Sequence, residues 1–206
     1  MLMRGIARAL LALAALVACA GELHAMLDAA NKIRGLYDTL LSTMKDGETL
    51  GPMGRYRRLE PVIGQTFDMQ YMARAVVGPS WVSASQMQQQ EMIDAFAHYI
   101  TATYASRFAS YSGQQLRVLG EQPYADSMIV DSEIVKADGK SVMIKYLMRR
   151  TSGDWRIADV YLEGSISELA TRRSEFSSIV QQHGVGGLAT ALDEKAKSLT
   201  GGPEEK

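Results

Sequence analysis

The sequence predicts a single α+β domain, with helices wrapped on a strongly twisted four-stranded antiparallel sheet. Three observations carry that expectation. Apolar residues recur at three- and four-residue spacing through the first half of the chain, from Leu27 to Phe108. From Gln115 the period switches to strict alternation. The alternating runs are joined by short connections, two of them bearing Gly, which favours hairpins over crossovers.

Each element follows from the same reasoning. Leu23–Met44 has helix spacing through Leu27, Ile33, Leu36, Tyr37, Leu40 and Met44, with Gly47 placed to cap its C-terminus. Pro52–Ile63 predicts a shorter helix interrupted near Pro61. Its Arg55, Arg57 and Arg58 read first as a solvated face and second as a docking surface for a membrane partner or headgroup. Phe67–Val77 is apolar on one side and stops at Gly78-Pro79. Ser83 or Ser85 then caps the longest amphipathic helix, which carries Met92, Phe96, Ile100 and Tyr104 to about Phe108.

Four strands follow, at Gln115–Gln122, Asp126–Lys136, Lys140–Arg150 and Asp154–Leu162. Met128, Val130 and Ile134 share one face of the second; Val142, Ile144, Tyr146 and Met148 share one face of the third. The opposite faces mix Asp131, Glu133, Lys145 and Arg149 with Met143 and Leu147, so one face is apolar and the other half wet. In the fourth strand Trp155, Ile157, Asp159 and Tyr161 alternate with Arg156, Ala158, Val160 and Leu162. Gly164 ends that strand, Ser165 or Ser167 caps a helix, and Ile166, Leu169, Arg173 and Phe176 fall along its side. Gly184, Gly186 and Gly187 predict a turn before a last helix, Val185–Leu199.

Residues 1–20 read as a leader, residues 21–199 as the domain and residues 200–206 as a disordered tail. Arg4 and Arg8 precede an unbroken apolar run, Ala9–Ala20, that falls short of the roughly 20 residues a membrane span needs. Ala18-Cys19-Ala20 offers a signal-peptidase site, so the expectation is export to the periplasm with an unacylated N-terminus at or just after Ala20. Leu16-Val17-Ala18-Cys19 also fits a lipobox, and an anchor at Cys19 is the alternative. An exported chain with no second cysteine draws its stability from its core.

Several classes of chemistry find no support. The formal charge of −1 argues against nucleic acid. His24, His98 and His183 lack metal-ligand spacing, and no cofactor or metal is expected. There is no phosphate-binding loop, dinucleotide fingerprint or nucleophile elbow. Asp159 and Glu163 lie four apart on one strand and form the conceivable acid/base pair; a backbone-capping or Arg-pairing role for Asp159 is the simpler reading. No enzyme is expected. Apolar volume remains, and periodicity leaves open whether it closes into a filled core or leaves a cavity.

A resemblance bears on that choice. Tyr37–Gly47, Phe67–Trp81, Tyr104–Gly113 and Trp155–Phe176, the last with Asp-Val, Glu-Gly and Arg-Ser-x-Phe in order, resemble the MlaC-type toluene-tolerance family and within it the hopanoid-associated HpnM branch. Arg172 stands where the wider family often has Tyr. The resemblance implies an apolar cavity between sheet and helices. It also implies a monomeric periplasmic lipid carrier for a hopanoid or phospholipid, working with an ABC transporter complex and outer-membrane lipid-transfer proteins. On the helices, Phe67, Met72, Val76, Trp81, Phe96, Ile100 and Tyr104 are the candidate wall. Met128, Val130, Ile144, Tyr146 and Val160 would line the sheet side, and Ile166 would close the mouth. The rivals are a phospholipid-only carrier for outer-membrane asymmetry, a filled-core interaction protein regulating a membrane complex, and an enzyme using Asp159 and Glu163.

Overall fold

The computed structural model describes residues 29–201. The expected leader, Cys19, His24, the first residues of the expected opening helix and the end of the tail lie outside the described residues. Helix α1 is therefore described over 29–45. Its Ile33, Leu36, Tyr37 and Leu40 are buried, as their spacing requires of one face.

Gly47 does not cap α1. It opens α2, Gly47–Thr66, because it packs against the loop after α4: a Cβ there would stand 1.9 Å from the Ala109 carbonyl oxygen. The chain breaks just before Pro52, so a helical segment starts there as expected, while the interruption expected near Pro61 does not form. Gly51 is non-helical (φ 60°, ψ 178°) and Pro52 starts the next segment, where its missing N–H costs nothing. Pro61 stays inside the helix. The carbonyl it deprives of a partner belongs to Arg57, and both residues are exposed, so water can satisfy it.

Phe67 is extended rather than helical and bridges Ile157 in parallel, while the Asp68 N–H donates to the Ile157 carbonyl at 2.9 Å. Asp68 then caps α3, Met69–Val77, by accepting from the Tyr71 N–H at 3.0 Å. A 3₁₀ turn, Gly78–Trp81, leads to α4, Gln86–Arg107. Of the two serines proposed, Ser85 caps α4 in a reciprocal box with Gln88.

The sheet is an antiparallel meander in chain order: β1 Gln115–Tyr124, β2 Ser127–Val135, β3 Ser141–Thr151, β4 Asp154–Leu162 and a short fifth strand, β5 Ile166–Ser167. Cross-strand register builds the inner face: Met128 opposes Met148, Val130 opposes Tyr146, Ser132 opposes Ile144, and Ile134 opposes Val142. The alternation expected in β4 fails at one point. Leu147 opposes Asp159 and Met148 opposes Ile157, leaving Ala158 as the extra residue of a bulge. The bulge turns Trp155 and Ile157 inward on one side of it, and Val160, opposite Tyr146, inward on the other.

Ile166 is likewise not helical. Glu163 (φ 51°) and Gly164 (φ 79°) make a turn that folds the chain back, so Ile166 pairs with Leu162 and leaves its side chain exposed. Helix α5, Glu168–Thr200, begins two residues later with Ser167 as its cap. Arg172, not Arg173, is on its buried stripe with Leu169, Phe176 and Val180. The break expected at the glycine-rich segment is present: Gly184 is non-helical (φ 69°, ψ −172°), so α5 is two helical segments joined at that residue, and Gly186 and Gly187 belong to the second, which runs to Thr200. No described helix is long and apolar enough to cross a membrane.

Candidate functional site

Between the inner face of the sheet and helices α3, α4 and α5 lies a cavity of about 230 Å³. Its sheet wall is the Ile134–Val142 end of the β2–β3 hairpin, with Ile144, Tyr146, Val160 and Leu162. Phe67 and Met72 come from the α2–α3 junction and α3; Phe96, Ile100 and Tyr104 come from successive turns of α4. Leu169 closes the α5 side. Edge-to-face packing of Phe67 on Tyr104 at 5.5 Å and stacking of Tyr104 on Phe108 at 5.6 Å stiffen the helical wall.

Eight of the thirteen residues named from sequence line this space: Phe67, Met72, Phe96, Ile100, Tyr104, Ile144, Tyr146 and Val160. Five do not. Val76, Met128 and Val130 are packed into the core; for the two strand residues the register explains it, since Met128 opposes Met148 and Val130 opposes Tyr146, toward the β3–β4 turn. Trp81 lines a different hollow on the outer side of α3. Ile166 is 51% exposed on β5, so the helix does not carry it over the mouth.

Reasoning from apolar stripes also missed the polar lining. Thr103, Arg107, Lys136, Glu168 and Arg172 reach the cavity. Arg107 and Lys136 are exposed and Glu168 half-buried, so these three form the rim, while Thr103 and Arg172 are buried in the wall. Arg172 is buried and held: its guanidinium donates to the Tyr99 hydroxyl at 2.5 Å and approaches Glu168 at 3.4 Å and Glu175 at 3.7 Å. It also lies over the Tyr99 ring at 5.0 Å. Arg107 and Lys136 take part in no ion pair among the described residues. The signal available in sequence was the charged ends of amphipathic runs, which periodicity assigns to solvent.

One polar chain crosses the inner face. Tyr146 donates its hydroxyl to Tyr37 at 3.2 Å, Tyr37 and Ser132 share a contact of 2.8 Å, and the Ser132 hydroxyl donates to the Ile144 carbonyl at 2.9 Å. With Tyr146 donating to it, Tyr37 donates in turn to Ser132, and every hydroxyl proton finds an acceptor. Tyr146 can therefore present its ring to the cavity while its hydroxyl is satisfied behind it. Burial raises the pKa of Tyr146, Tyr104 and Tyr37 above the ordinary phenol value.

A second hollow of about 540 Å³ adjoins the rim and shares Arg107, Phe108, Ile134 and Lys136 with the cavity. Phe108 and Ile134 are the apolar side chains that stand between the two spaces.

The carboxylates weighed for catalysis do not converge. Asp159 accepts from the Val160 N–H at 2.7 Å, the Ser167 hydroxyl at 2.6 Å and the Leu169 N–H at 3.2 Å. It fastens the bulge of β4 to the first turn of α5, while Glu163 is exposed in the turn. The basic cluster of α2 is mainly structural. Arg55 donates to the Ala105 and Gly47 carbonyls, both at 2.9 Å, and Arg58 pairs with Asp46. His98 contacts Asp193 at 3.0 Å on the surface.

Comparison with known proteins adds three findings. A family model described as MlaC protein matches residues 34–194. The phospholipid-binding protein of Ralstonia solanacearum, solved in complex with a phospholipid, is similar in structure at a TM-score of 0.68. It shares 24% sequence identity, and the match covers 84% of this chain and 98% of that one, which speaks for the fold. No curated protein matches the sequence.

Proposed function

Since the chain belongs to the MlaC family, we propose that it is a periplasmic carrier holding the tail of a membrane lipid in the cavity and its headgroup at the rim. The observation that carries this reading is the cavity itself: apolar walls, and unpaired Arg107 and Lys136 where it opens. Burying a methylene is worth about 0.8 kcal/mol, so an acyl chain binds without any charged contact inside. The cations at the rim favour a phosphate-bearing headgroup, and phospholipid is the preferred cargo. A hopanoid, suggested by the resemblance to the HpnM branch, is the second.

The volume sets a condition. An apolar void of about 150 Å³ takes a benzene molecule, so a cavity of about 230 Å³ takes only a stretch of one chain. A two-tailed lipid requires Phe108 to swing aside and merge the cavity with the adjoining hollow. Exchange with an ABC transporter complex and with outer-membrane transfer proteins completes the proposal. Asp159, spent on three donors, and exposed Glu163 give the enzyme reading no shared site.

Native mass spectrometry of protein exported and purified from a hopanoid-producing bacterium tests this. A glycerophospholipid mass on the folded protein is expected. A hopanoid mass would replace the cargo and keep the carrier; repeated absence of any lipid would overturn the proposal in favour of an interaction protein.

A further inference from the structure

Helix α3 separates two environments. Met72 and Val76 face the interior, while Tyr71, Arg74 and Ala75 face an open hollow of about 610 Å³ on the other side. Three arginines from three elements line that hollow: Arg74 of α3, Arg149 of β3 and Arg173 of α5. No carboxylate lines it, and no ion pair among the described residues involves any of the three. The concentration of charge is local, since the chain as a whole carries −1. Guanidinium groups stay protonated at any physiological pH, so in the free protein they repel one another across the hollow.

One of them is held in place and a second lies close against the backbone. The Arg149 guanidinium stacks over the Tyr71 ring at 4.3 Å. Arg173 lies against Gly78, where a Cβ would come within 3.0 Å of it. Among them Val82, which also lines the hollow, is 82% exposed. The hollow continues into a rim of glutamines, Gln70, Gln86, Gln89 and Gln90, where the nearby carboxylate, Asp68, is buried and already accepts from Tyr71 and Thr151.

We propose that this arginine-lined hollow is a docking surface for an acidic segment of a partner protein. Guanidinium forks match carboxylates bidentately. An aromatic and arginine centre with a hydrogen-bonding rim is the composition of protein interfaces. The surface is concave, so a projecting loop or helix fills it where a flat bilayer would not. The site is separated from the lipid cavity by α3, so docking and lipid loading can be scored independently on one preparation.

The test uses the exported full-length protein and a fluorescein-labelled peptide of Glu, Asp and Leu, with its Gln/Asn counterpart as reference. Fluorescence anisotropy should show salt-sensitive binding of the acidic peptide only. Arg74→Glu/Arg149→Glu/Arg173→Glu should weaken it at least about tenfold while the protein keeps its lipid. Reversal of three exposed cations elsewhere, Arg34→Glu/Arg57→Glu/Lys195→Glu, should change it less than about twofold. If the triple variant misfolds, the exposed pair Arg74→Ala/Arg173→Ala decides by the same comparison. Equal weakening in both reversals, or no preference for the acidic peptide, would overturn the proposal. So would flotation with phosphatidylglycerol vesicles that requires the same three arginines, which would make the hollow a membrane site.

Discussion

The two ends of the sheet's inner face differ although their sequences read alike. Toward the β3–β4 turn, Met128, Val130, Met148 and Ile157 are buried without a gap. Helix α1 is pinned over that end by Lys32 on Asp154 at 2.6 Å and by the Ala30 N–H on Glu121 at 2.8 Å. Toward the β2–β3 turn, Ile134, Val142 and Leu162 are only half-buried and look into the cavity. There the covering helices bring Arg172, Tyr99 and Glu168 where the other end receives Leu and Ile. A polar cluster that must keep its own partners cannot collapse onto an apolar sheet, so the space stays open. Packing quality in one domain thus follows from what the cover supplies, more than from the sheet beneath it.

The sharpest way to break this contrast is to place one charge at each end. Val130→Glu at the closed end leaves a carboxylate unpaired in a dry core, a cost of about 3–5 kcal/mol against a total of about 5–15. Thermal melting should show an unfolded or barely folded protein. Ile100→Glu in the cavity wall should cost less, since water can enter beside it. The expected outcome is a cooperative melt with no lipid in the extracted mass spectrum. An equal loss of folding in both variants would mean the two ends are equally filled.

Asp159→Asn addresses the joint between the ends. The side chain keeps its shape but one acceptor oxygen becomes a donor facing Ser167 or the α5 backbone. A loss of about 1–2 kcal/mol is expected, read as a lower denaturation midpoint, with the lipid load unchanged. A variant that stays fully folded and lipid-loaded while losing a measurable turnover would instead revive the enzyme reading.

Alkaline pH probes the tyrosines that line and back the cavity. Their folded pKa values lie above the unfolded value of about 10. Above that pH the unfolded chain has released protons that the native state retains, so stability is complete below about pH 10 and falls as pH rises further. Absorbance at 295 nm should show part of the nine tyrosines ionising only together with unfolding. Full titration ahead of unfolding would place water beside Tyr146 and Tyr104.

The smallest effect belongs to Ile166→Glu. On an exposed edge position it should shift stability by no more than about 0.5 kcal/mol and leave the lipid in place. Loss of lipid there would move the mouth to β5.

The sequence by itself determined the class of fold, the order of the helices, the four long strands to within a residue or two, and the apolar faces that meet. Those features depend on local period, and period survives without tertiary knowledge. It also carried the family, through Trp155–Phe176 and the segments that resemble it. Tertiary structure decided what period cannot encode. The bulge at Ala158 reversed which residues of β4 face inward, because an unpaired residue shifts every later side chain across the sheet. The turn at Glu163-Gly164 took Ile166 out of the helix and away from the mouth. Ser132 sits on an otherwise greasy stripe because Tyr37, ninety-five residues away, accounts for its hydroxyl. Whether Val130 became core and Ile144 cavity wall was settled by which helix covered each, and that is a contact between distant parts of the chain.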